Sequence, residues 1–279
     1  MKRKIAIILV GLMCVSAAGC SFNPFESKSA VDISVVDTAD IFVNIGDDAV
    51  VENSEASEAF TNAMAAVDSA ENITIRVENN IVMGTEGEAS YQESVSNSDI
   101  KIDKGGEAQT GNVDIENIYR YVPSAGTEET TGEGSTDLTE ETNNITGYYS
   151  GDRLYFITND GDKVQEEMSY DDFLAVVNTY GLNLFDDCIS KAACVEDNDG
   201  KTYYISYDPS LFETTMNTNM EASGQTMADG EAMNVNYANI VAKVDGENNL
   251  LGYGFVINAE YINDQETIPY NYSLQADFT

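Results

Sequence analysis

The side chains able to do covalent chemistry in this 279-residue chain are four cysteines: Cys14, Cys20, Cys188 and Cys194. Cys20 follows Ser16, Ala17, Ala18 and Gly19, which close a short apolar run from Ile5 to Val15 behind Lys2, Arg3 and Lys4. The run is well short of the ~20 residues a membrane-crossing helix needs, so residues 1–19 read as an export signal. Cys14 leaves with that signal. Cys188 and Cys194 remain as an isolated pair, and in an exported domain such a pair favours a local disulfide. On one continuous helix, residues six apart lie ~9 Å apart along the axis, beyond bridging distance, so the bridge requires a turn between them. Over so short a loop it contributes ~2 kcal/mol. The alternative is two buried free thiols.

The ending Ala17-Ala18-Gly19-Cys20 resembles the lipobox of bacterial lipoproteins, although that family usually has Leu where Ala17 stands. The resemblance implies that Cys20 is acylated and becomes the mature N-terminus. It implies a protein on the outer face of the bacterial cell membrane, or on the outer membrane where two membranes are present. Ordinary cleavage after Ala18 would release a secreted protein instead.

Other chemistry is largely excluded. The chain has no His, which removes His-dependent triads, imidazole metal ligands and the commonest general base. Carboxylates abound, with 49 Asp and Glu, so no single pair stands out as catalytic. Gly200-Lys201-Thr202 lacks the upstream glycine of a phosphate loop. Asp197-Asn198-Asp199-Gly200 and Asn159-Asp160-Gly161-Asp162 lack the full ligand series of a calcium loop, and turn chemistry explains both. Met216, Met220, Met227 and Met233 read as packing or pliable apolar surface in preference to a copper series. No enzyme activity, metal or cofactor is expected. The net charge of −36 grows more negative once the basic signal is removed, which excludes nucleic acid as a partner and opposes direct contact with anionic headgroups.

The elements follow from periodicity. Residues 20–53 read as an acylated N-terminus and tether, with Ile41 to Ile45 alternating like a strand. Ser54 or Ser57 caps a helix presenting Phe60, Ala63, Met64 and Val67 on one face. Ile73, Ile75, Val77, Ile81 and Met83 mark a half-buried strand. In the next run Tyr91 and Val95 oppose the parity of Ile100 and Ile102, which suggests a bulge or break. Val113, Ile115, Tyr119 and Tyr121 mark a third strand. Residues 123–144 hold six acids and no base, so they read as a disordered loop. Tyr148 to Ile157 make a hairpin around Ser150-Gly151-Asp152. Ser169 caps a second helix and Asp208-Pro209 opens a third. Residues 184–195 show no period. Long alternating strands occupy Leu251 to Tyr261 and Ile268 to Phe278.

This order predicts an α+β domain over residues 54–279, mainly antiparallel β. Its sheet of about eight to ten strands is strongly curved, with one helix before it and two inserted. The topology resembles the LolA/LppX-like lipoprotein superfamily, which implies a half-barrel around helices with an apolar cavity for a lipid or acyl chain. Alternation alone proposes its lining: Phe60, Met64, Phe255, Ile257, Tyr272 and Leu274. A surface scaffold that docks a protein partner and holds no ligand is the alternative.

Overall fold

The unbroken alternation of residues 251–278 becomes two long neighbouring strands at the centre of a single antiparallel sheet. The computed structural model describes residues 29–106, 109–122, 138–157, 161, 163–222, 227, 230–263 and 266–279. Its strands are β1 (Val50–Val51), β2 (Asn72–Met83), β3 (Gln92–Asp103), β4 (Thr110–Tyr121), β5 (Thr139–Ser150) and β6 (Arg153–Ile157). They continue with β7 (Lys163–Glu167), β8 (Ile189–Asp197), β9 (Gly200–Tyr207), β10 (Ala232–Val244), β11 (Leu250–Ile262) and β12 (Thr267–Phe278). Their order is β1-β8-β9-β10-β11-β12-β2-β3-β4-β5-β6-β7. Edge strands β1 and β7 do not pair, so the sheet is curved and unclosed, as the half-barrel expectation required.

The helices are α1 (Ile33–Val36), α2 (Asn53–Ser69), α3 (Tyr170–Val177) and α4 (Pro209–Ala222). Ser169 caps α3, accepting from Asp172 N at 3.1 Å, and Asp208 caps α4 through Leu211 N at 3.0 Å. Helix α2 starts one residue before the expected cap, with Glu52 at its N-cap and no side-chain cap bond. Ser57 is instead buried and donates to Asp186 at 2.5 Å. Gly151 and Asp152, both with φ near +60°, form the tight turn that twists β5 into β6.

Three expectations are corrected. Twelve strands are present among the described residues, because residues 184–195 conceal β8. Ala192 and Ala193 are both fully buried, one toward the main core and one toward the outer face, so no alternation shows. The acidic loop is shorter than 123–144: Thr139 to Asn144 pair with β4 throughout, and residues 123–137 lie outside the described residues. Finally, residues 29–53 are not a tether. Val31, Val36, Ile41 and Phe42 pack with Ala193, Val241 and Val256 into a second core on the sheet's outer face. Ile41 and Phe42 are adjacent yet both buried, in a turn where a strand was expected. Buried Asn239 fastens this strap by donating to Val36 O at 3.2 Å and Thr38 O at 2.7 Å.

The expected disulfide is absent as well. Cys188 and Cys194 are free thiols. The chain between them runs out along β8 with no turn, and six extended residues separate their ends by ~20 Å. Cys188 sits 3.3 Å from the Thr215 hydroxyl, while Cys194 stands opposite Tyr203, where burial raises its pKa.

Candidate ligand-binding face

The inner face of the sheet is best read across the strands. One register passes through Ala192, Ile205, Ile240, Phe255, Leu274, Asn79, Ser96, Asn117 and Asn143, on β8, β9, β10, β11, β12, β2, β3, β4 and β5 in turn. Five consecutive apolar residues are followed by four consecutive uncharged polar ones. The change falls between β12 and β2.

The apolar half is closed by α2 and α4. Phe60 of α2 meets Tyr253 edge-on, with ring centres 5.4 Å apart. Phe212 of α4 meets Phe255 at 6.3 Å, and Phe255 meets Tyr272 at 5.8 Å. Of the six lining candidates, Phe60, Phe255, Ile257, Tyr272 and Leu274 are buried in this one core, and half-buried Met64 packs against it. The structure therefore brings them together as packing partners of one core between helix and sheet. Burial raises the pKa of the Tyr253, Tyr270 and Tyr272 phenols, which stay neutral well past the usual tyrosine range. Tyr180 is pushed up to about 12 for the same reason.

The other half differs. At one end of β4 and β5, α3 lays Phe173 directly over Gly111, stacked on Tyr149 at 4.7 Å. A Cβ on Gly111 would sit 2.3 Å from that ring, so only glycine fits beneath it. Further along the strands, Ile81, Ser94, Ser96, Ile115, Tyr119 and Asn143 are half-buried on the inner face. Ser98 and Asn117 are 3% and 7% exposed. The bases of these strands, Arg76, Lys101 and Arg120, stand at the opposite parity and so on the outer face. There Arg76 pairs with Asp99 at 3.3 Å, and Arg120 bridges Glu93 at 2.9 Å and Glu140 at 2.7 Å.

Sequence reasoning missed this polar half for an identifiable reason. Apolar alternation lapses along β3, which suggested a bulge, yet β3 pairs with β2 and β4 without a register shift. Its inner face reads Gln92, Ser94, Ser96, Ser98, Ile100, Ile102. The parity never changes; only the polarity does. Three serines at alternate positions were the available signal.

No family model matches the sequence, and no curated protein matches it. Among solved structures the chain is similar to the lipoprotein LppX of Mycobacterium tuberculosis, with 9% identity and a TM-score of 0.34 over 82% of this chain and 95% of that one. A DUF1329 family protein from Desulfovibrio piger gives 7% identity and a TM-score of 0.21, over 81% of this chain and 90% of that one. A porin-like protein from Bacteroides uniformis gives 11% and 0.19, over 75% of this chain and 95% of that one. All three are distant likenesses.

Proposed function

We propose that this protein is an envelope lipoprotein, held at the membrane through acylated Cys20, that binds an acyl-bearing ligand on the inner face of β2–β5 and carries out no catalysis on it. One observation supports the reading above others. In a chain of net charge −36, Ile81, Ile115, Tyr119 and their serine and asparagine neighbours form a half-buried patch whose one charged neighbour on β2–β5 at this parity is exposed Glu141, at its rim opposite Tyr119. A patch with so little charge and only partial cover is the kind of surface that apolar ligands use. Each methylene buried there contributes ~0.8 kcal/mol, so part of one alkyl tail reaches micromolar affinity.

The strap refines the anchor. Residues 21–28 alone separate Cys20 from Ser29, whose hydroxyl, with Ala30 N, bonds the Asp277 carboxylate at 2.7–2.8 Å. That link spans at most ~30 Å fully extended, which keeps the ligand face near the bilayer. Stable anchoring requires two or more acyl chains. Cys20→Ser, expressed in a bacterial host, should therefore move the protein from the membrane fraction to the medium or periplasm. Persistent membrane association of that variant would sink the anchor.

The binding half has its own test. A fluorescent fatty acid should bind the purified protein at micromolar Kd, and Ile115→Asp should weaken it at least tenfold while the far-UV spectrum holds. Probe binding no better than to an unrelated acidic protein would remove the ligand from this account.

A further inference from the structure

The polar half of the register identifies the other end of the ligand. It presents Asn79, Ser96, Asn117 and Asn143 side by side on β2, β3, β4 and β5, immediately beyond Leu274 and Phe255. With adjacent strands ~4.8 Å apart, the four side chains cover ~14 Å of uncharged donors and acceptors. Ser94 and Ser98 flank Ser96 on the same face of β3. Amides and hydroxyls offer both donors and acceptors, which suits a group that itself carries hydroxyls. No lysine or arginine stands in this register to neutralise a phosphate, and the acidic surface around it repels anions.

Asn117 supplies an independent sign. It is 93% buried by its exposure of 7%, and its amide nitrogen has no hydrogen-bond partner among the described residues. An unpaired buried amide is destabilising, a cost that packing alone would remove by placing leucine there. The orphaned amide atoms of Asn80, Asn144 and Asn271 differ, because those residues are only half-buried and face outward.

We infer that Asn117, Ser96 and their neighbours in the register hold an uncharged, hydroxyl-rich head group, such as a neutral sugar, on an amphiphile whose chain follows the apolar side of the same face. This rests on the binding reading above and names its ligand class. Three probes with the same twelve-carbon chain test it by calorimetry, each below its micelle concentration: dodecyl maltoside, dodecylphosphocholine and dodecanoate. The maltoside should bind at least tenfold tighter than either of the others. Asn117→Leu and Ser96→Val should each erase most of that margin and leave dodecanoate affinity within about twofold. Asn117→Leu should also leave the melting temperature unchanged or higher, whereas a structural amide would lose stability on that change. Equal affinity for all three probes overturns the head-group assignment while dodecanoate binding still supports the broader reading. Maltoside selectivity that survives both variants overturns the place assigned to it. Failure of all three to bind ends both proposals.

Discussion

Gly111→Val should be among the most destabilising single changes in the domain, costing about 3–5 kcal/mol. The side chain has nowhere to go: even its Cβ would lie 2.3 Å from the Phe173 ring. Phe173 is itself fully buried, clamped against Tyr149 and within 6.2 Å of the Tyr170 ring. Relief requires Phe173 to leave, which strips the ends of β4 and β5 of their cover and unseats α3. For a domain of this size the loss corresponds to a fall in Tm of roughly 10 °C, read from a thermal melt. Gly246→Ala is the matched control, since a Cβ there meets nothing within 4 Å and the backbone is not left-handed. Equal melting of the two variants would mean that α3 does not sit where it is described.

Val36→Asp is expected to cost about 3 kcal/mol or more and to act on the opposite face of the sheet. Val36 is completely buried, and its methyl would lie 3.0 Å from a Cβ added to Gly254. The surrounding Val241 and Val256 offer a carboxylate no partner. Detachment of the strap is the expected escape, since its other polar ties are scattered single contacts: Ser29 and Ala30 to Asp277, Val31 to Gln275, Asp37 to Tyr237 and Asn271, and Val36 and Thr38 to Asn239. Limited proteolysis of the variant should then cut between Val36 and Val50, where the native chain resists. A detached strap also lengthens the link between Cys20 and the sheet. Unchanged protease resistance in the variant would contradict the packed strap.

How much of this was legible depends on what each face of a segment touches. Strands β11 and β12 announced themselves because Tyr253 to Tyr261 and Ile268 to Phe278 meet one apolar core along their whole length. Strand β8 was hidden because Ala192 and Ala193 are both covered, so burial has no period there. The strap was hidden for the converse reason: Ile41 and Phe42 bury against the sheet from an irregular turn, which has no period to detect. In Thr139 to Asn144 composition pointed to disorder, but pairing with β4 decides the outcome. Tyr121 donates to Glu141 at 2.8 Å and Arg120 meets Glu140, so even the acids find partners. The lining candidates fall together in one core beneath α2 and α4, and alternation reports only which side is covered, not whether a helix or a ligand covers it. The polar half of the face fell outside that signal altogether, because a search for apolar periodicity passes over Ser94, Ser96 and Ser98.

The central claim is that this inner face carries a ligand with an alkyl chain. Native mass spectrometry of the protein, extracted gently from its own membrane, tests it most directly. The account predicts a population heavier than the acylated chain by one small molecule. That mass should be lost on denaturation and recovered as a compound bearing an alkyl chain. A spectrum holding only the bare acylated chain, from protein that still melts cooperatively, would contradict it.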